Sequence, residues 1–217
     1  MCANDSGPLF LILLAIGVGG TAAAQPYSSP AEDPELIAVM SHVRQRSFDR
    51  IPAIDEPTFV DSAEARIFLT GADQVVGIEH QGVTKAYPIK FLNGHELVND
   101  RLGKDPVAVA WCPIVERSII YQATIRPDIL RERANRIDSV LTFGITGILR
   151  NSALVMYDRS TISLWTLEGV AISGPLRGLR LRSYPSERTS WRSWLDRHPE
   201  TVVMGPPAPA VRRQADH

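Results

Sequence analysis

The sequence predicts a mainly β, or α+β, fold: an antiparallel sandwich or barrel-like body with a few short helices. Short runs rich in β-branched and aromatic residues recur at close spacing between residues 75 and 204, separated by turn-length gaps. One of them, Val107-Ala-Val-Ala-Trp111, is apolar throughout, as a strand covered on both faces must be. Helical spacing is confined to short segments.

At the N-terminus, Leu9-Phe-Leu-Ile-Leu-Leu-Ala-Ile-Gly-Val-Gly-Gly20 is an apolar run of about a dozen residues, where a membrane span needs about 20. Ala22-Ala23-Ala24 follows as a small-residue cleavage site. Residues 1–24 therefore read as a signal peptide, although no Lys or Arg precedes the apolar run and Asp5 does. The alternative is an N-terminal membrane anchor. Residues 25–50 read as a Pro/Ser-rich linker and a short helix with Asp33 as N-cap, Pro34 in its first turn, and Leu36, Ile37, Met40 and Val43 on one face.

The main body is expected over residues 51–205. Val75-Val-Gly-Ile-Glu79 and Val83-Thr-Lys-Ala-Tyr87 flank a hairpin turn at His80-Gln81-Gly82. A short helix covers roughly Ile89 to Leu97. Val107 to Trp111 is the central strand. Ser118-Ile-Ile-Tyr-Gln122 and Ser139-Val-Leu-Thr-Phe143 read as a pair around the Arg-rich excursion 126–136, a solvated segment with room for a helical turn. Leu154-Val-Met-Tyr157, Ile162-Ser-Leu-Trp165, Val170-Ala-Ile-Ser173 and Thr201-Val-Val-Met204 complete the strands. Trp191, Trp194 and Leu195, spaced i, i+3 and i+4 after Thr189 or Ser190 as N-cap, predict a helix with a buried face that His198-Pro199 ends. Residues 206–217 read as a disordered tail.

Charge narrows the function. The chain carries 23 basic and 24 acidic residues, and the leader would remove one acid, Asp5, and no base. Such balance provides no basic face for nucleic acid and no polybasic membrane patch. The expected localisation is periplasmic or secreted, with no stable membrane span after leader cleavage.

Two cysteines are present, Cys2 in the leader and Cys112. After cleavage, Cys112 has no partner in its own chain. It is an inert packing residue, a ligand of a metal or small molecule, or a reactive thiol. Packing takes precedence, because free cysteine is among the most buried residue types. His95-Glu96-Leu97-Val98-Asn99 opens like the H-E-x-x-H zinc motif, but Asn99 stands where the second His is needed, so a metalloprotease of that type is rejected. His95 is still either a ligand or acid–base group, or a histidine bonded to loop backbone. His95, Glu96 and Cys112 are the candidate metal ligands, a soft thiolate with imidazole suiting copper or zinc. Asn151, Asp158 and Trp165 are candidate small-ligand contacts. Asp158 equally reads as a turn former, and Trp165 faces either a pocket or the core. No nucleophile elbow or P-loop occurs, and Gly144-Ile-Thr-Gly147 is explained by turn glycines.

Over about Ile51 to Met204 the chain resembles the bacterial and archaeal family DUF3179, a domain of unknown function. The carrying segments are Ile51-Pro-Ala-Ile-Asp55, Ala86-Tyr87-Pro88-Ile89, Leu92-Asn-Gly-His-Glu-Leu-Val-Asn-Asp100 and Val107-Ala-Val-Ala-Trp-Cys-Pro113. Further on come Leu141-Thr-Phe-Gly144, Asn151-Ser152, Leu154-Val-Met-Tyr-Asp-Arg159, Ser163-Leu-Trp165 and Ile172-Ser-Gly-Pro-Leu176. The resemblance implies an exported or membrane-associated domain and brings no established catalytic residues. The chain departs from it where the family has Cys-Pro-Leu-Cys-Gly-Thr, since Cys112 is followed by Pro-Ile-Val-Glu-Arg117. It departs again at Thr166-Leu167, where the family has Ser-Gln. If the family uses two thiols, this chain keeps one.

The expected function is non-catalytic binding of a metal, a small ligand or an exported protein partner. The alternative is a thiol-dependent or redox enzyme with Cys112 as nucleophile and His95 as base.

Overall fold

The structure, a computed structural model, describes residues 48–134 and 139–208. The leader, the linker up to Ser47 and its helix, and the tail beyond Ala208 lie outside the described residues. Within them, twelve strands form three open sheets, accompanied by four short helices. The sheets stack as layers, and none closes into a barrel among the described residues.

The middle layer has four antiparallel strands in the order β10-β6-β5-β4: Ser183–Tyr184 (β10), Arg117–Gln122 (β6), Asp105–Cys112 (β5) and Leu97–Leu102 (β4). Successive side chains of a strand point to opposite faces. On β5, Ala108, Ala110 and Cys112 enter one core while Val107, Val109 and Trp111 enter another. Both faces are dry, which is why this segment is apolar throughout.

One flanking sheet has the order β1-β12-β3-β2-β11, from Phe59–Val60 (β1), Val202–Met204 (β12), Val83–Pro88 (β3), Gln74–His80 (β2) and Glu187–Ser190 (β11). Its β12–β3 pair is parallel and the rest are antiparallel. The β2–β3 turn falls on Gln81 and Gly82, both at positive φ, as a two-residue hairpin turn requires. The other flanking sheet is β7-β8-β9, from Phe143–Arg150 (β7), Ala153–Asp158 (β8) and Leu164–Thr166 (β9).

Helices α1 (Ser62–Ala65) and α4 (Trp191–Arg197) cover the outer face of the five-stranded sheet, where Trp191 and Trp194 pack with Val75, Ala86 and Val203. Ser190 caps α4 by accepting from the Ser193 N–H. Gly77 makes room for this helix, since a Cβ there would lie 2.4 Å from the Trp194 ring. Helix α2 (Ile89–His95) leads into β4. Helix α3 (Pro127–Ala134) occupies the Arg-rich excursion and buries Leu130.

Two strand expectations are corrected. Residues 139–142 are irregular and make a single bridge, Thr124↔Val140. Strand β6 pairs with β5 and β10, while β7 starts at Phe143 and pairs with β8. The chain leaves the middle sheet through α3 and starts a new layer instead of returning as a hairpin. Residues 170–173 make only the isolated bridges Trp165↔Ala171 and Val170↔Arg180. At the other end of the body, Phe48 stacks on Tyr157 at 4.3 Å and the Asp49 N–H donates to the Ile145 carbonyl, so packing begins before Ile51.

Candidate binding cleft

Helix α2 ends at His95 because Glu96 turns left-handed (φ 59°), its N–H closing on the Leu92 carbonyl at 2.7 Å. Leu97, Val98 and Asn99 therefore lie on β4, and His95 and Asn99 do not share a helical face. The arm from Ile51 to Thr58 runs beside β4, held by Ile54 N–H to the Leu97 carbonyl (2.9 Å) and Asn99 N–H to the Ile54 carbonyl (2.8 Å). That contact brings the Pro52 carbonyl to His95, whose Nδ1 donates to it at 2.7 Å. In the neutral ring Nε2 is then the acceptor.

A cleft of about 240 Å³ opens between the arm, His95 and the end of β12. Pro52, Ile54, Pro57, Met204 and Pro207 supply apolar walls, and His95, Asp55, Glu56 and Thr58 are its polar side chains.

Asp55 is fixed from the protein side. Arg159 Nη1 lies 2.8 Å from both of its carboxylate oxygens, and Asn99 Nδ2 donates to Oδ1 at 2.8 Å. Burial disfavours the Arg159 charge, but Asp55 and Asp49 outweigh it and raise the guanidinium pKa. Asp49 also accepts from the Tyr157 hydroxyl at 2.7 Å. Partial burial, then this bond and the Asp49 charge, push the Tyr157 hydroxyl up to about 12. Gly144 is required here, because a Cβ would stand 2.4 Å from Asp49 Oδ1 and 2.5 Å from the Tyr157 ring.

The β4–β5 register sets Leu97 against Ala110, and the Trp111 N–H donates to the Glu96 carbonyl at 2.8 Å, so the His95–Glu96 corner lies beside the end of β5. His95 lines the cleft. Glu96 is half-buried next to it in sequence, and burial raises its carboxyl pKa. Cys112 is buried in the core between the middle sheet and β7–β9, with Sγ 4.0 Å from the Ser152 carbonyl. Asn151 is exposed in the β7–β8 turn, at φ 50°.

Asp158 and Trp165 are fully buried and bonded to each other, the indole Nε1 donating to Oδ2 at 3.0 Å. Asp158 Oδ1 also accepts from the Thr161 N–H at 2.6 Å, which makes it the turn former of the β8–β9 connection. Trp165 faces the core. No three His, Cys, Asp or Glu among the described residues are placed to hold one metal ion, so His95, Glu96 and Cys112 are not brought together as a ligand set.

Asp55, Asn99 and Arg159 were not singled out by sequence reasoning. Each closes, or nearly closes, one of the segments that carry the resemblance, and the fold brings those distant segments to one point.

Among the described residues no helix is long and apolar enough to cross a membrane. No curated protein and no solved structure matches the chain. Residues 48–215 match a family described as a protein of unknown function, DUF3179; the match spans every layer and the cleft, and the chain belongs to that family.

Proposed function

We propose that this protein is a non-catalytic binding domain that works outside the cytoplasm and takes a small ligand into the cleft beside His95. The observation that carries the reading is the pre-arranged polar wall. His95 is oriented by the Pro52 carbonyl, and Asp55 is held by Arg159 and Asn99 before any ligand arrives. The volume is below the roughly 300–1,000 Å³ of drug-sized pockets, which favours a ligand of metabolite size.

Export is supported by the apolar run 9–20 and Ala22-Ala23-Ala24. Expression of the full chain in a Gram-negative host tests it: a soluble periplasmic product starting at Gln25 is expected. A product that keeps residues 1–24 and pellets with membranes would establish the anchored alternative.

Binding is tested by amide chemical-shift mapping with a panel of small metabolites. Saturable shifts at residues 53–56, Thr58, His95 and Met204, lost in His95→Ala, are expected. A panel that shifts only amides around Cys112 and Ser152 would favour the thiol-centred alternative. The burial of Cys112 supports packing as its role.

A further inference from the structure

We infer that the cleft selects a small organic cation, an ammonium or guanidinium group on a short apolar body. This deepens, and rests on, the reading of the cleft as a binding site. The first ground is the sign of the wall: among the described residues Asp55, Glu56 and His95 line it, and no Lys or Arg does. Arg159 is not among the lining residues but pairs with Asp55, so the uncompensated negative charge of the wall is that of Glu56.

The second ground is that the two carboxylates are differently employed. Asp55 is tied to Arg159 and Asn99, whereas Glu56 has no hydrogen-bond or ion-pair partner among the described residues and is free to serve as counter-ion. The third ground is His95. Its Nδ1–H is committed to the Pro52 carbonyl, so the neutral ring has only an acceptor left, suited to an N–H donor and unsuited to a carboxylate or phosphate. Pro52, Ile54, Pro57 and Met204 then cover the apolar body of the ligand, and the volume limits it to a short chain or a single ring.

The test uses three compounds of one shape and different charge: pentylamine, pentanol and pentanoate. Each is titrated into the full mature chain while amide shifts are followed, at low and at moderate salt. Pentylamine is expected to shift the amides of residues 53–56, Thr58, His95, Met204 and Gly205 saturably, more tightly than pentanol, with pentanoate weakest. Its affinity should fall with added salt. Glu56→Gln should weaken pentylamine about fivefold, the scale of one exposed charge pair, and leave pentanol unchanged.

Binding of pentanol or pentanoate as tight as pentylamine, or an unchanged pentylamine affinity in Glu56→Gln, overturns the cation selectivity and leaves the cleft as a binding site. If none of the three compounds shifts the cleft amides, both the selectivity and the cleft reading fail.

Discussion

The side chain of Asn99 pairs with the backbone of Phe143 as a neighbouring strand would. Its Nδ2 donates to the Phe143 carbonyl at 2.8 Å, and its Oδ1 accepts from the Phe143 N–H at 2.9 Å. The same Nδ2 reaches Asp55. One buried amide thus ties the middle sheet, the first strand of the next layer and the cleft arm together.

Asn99→Ala removes this tie and orphans a backbone N–H and a carbonyl away from water. The expected loss is about 2–6 kcal/mol, summing the roughly 1–3 kcal/mol typical of each of the two buried unsatisfied groups. Urea denaturation measures it. Asn99→Asp should be nearly as damaging, because a carboxylate cannot donate to the Phe143 carbonyl. A loss below about 0.5 kcal/mol for both variants would mean that the amide is not part of the inter-sheet joint.

Arg159→Lys should separate the role of the arm from global stability. The pair with Asp55 is partly exposed, at 30 and 49% for the two side chains, so its contribution to stability is at most about 1 kcal/mol. The guanidinium uses Nη1 on Asp55 and Nη2 toward Asp49, and a single lysine ammonium cannot serve both carboxylates in that way. Faster hydrogen exchange is expected at Ile54 and Asn99, whose amides bind the arm to β4, with core amides such as Val109 unaffected. Uniform acceleration across all of these amides would assign Arg159 to global stability instead.

Cys112 should resist alkylation by iodoacetamide in the native protein and react once the chain is unfolded, because it is 1% exposed. Val115, where the resemblance implies a second cysteine, is 40% exposed on the β5–β6 turn. Val115→Cys should therefore gain one alkylated thiol in the native state, read by intact mass. A loss of 2 Da (about the mass of two hydrogens) without alkylation would show instead that the two positions close a disulfide, as a spacing of three residues across a turn permits.

Glu96→Gln should stabilise the protein at neutral pH. Burial raises the folded-state pKa of Glu96 above its unfolded value, so the folded state holds the proton more tightly. Well below the unfolded value the group is neutral in both states, and the favourable contribution of the proton is fully present. That contribution is lost as pH rises through the folded pKa. The melting temperatures of wild type and Glu96→Gln should coincide near pH 3 and separate above about pH 4.3, with the variant higher. Identical melting curves at pH 3 and pH 7 would show that Glu96 ionises without penalty.

The strand-rich class, a hairpin turn within His80-Gln81-Gly82, the capped helix from Trp191 and the central position of Val107 to Trp111 were legible in the sequence. Each of these rests on local chemistry: a glycine at a turn, a hydroxyl accepting from a helix N–H, an unbroken apolar run in a strand covered on both faces. Only the tertiary structure decided the layering, the start of β7 at Phe143 and the burial of Cys112 beneath β7–β9, which come from long-range packing. It also decided that Asp55, Asn99 and Arg159 meet. The reason is that a strand's partner and a polar side chain's partner lie far away along the chain. Asn99 and Phe143 are 44 residues apart, and Asp55 and Arg159 are 104. No period or spacing encodes such a meeting, because it comes from the packing of three sheets. His95 could be picked out as an isolated imidazole, but the groups that orient it, and those that hold its neighbour Asp55, are visible only in the fold.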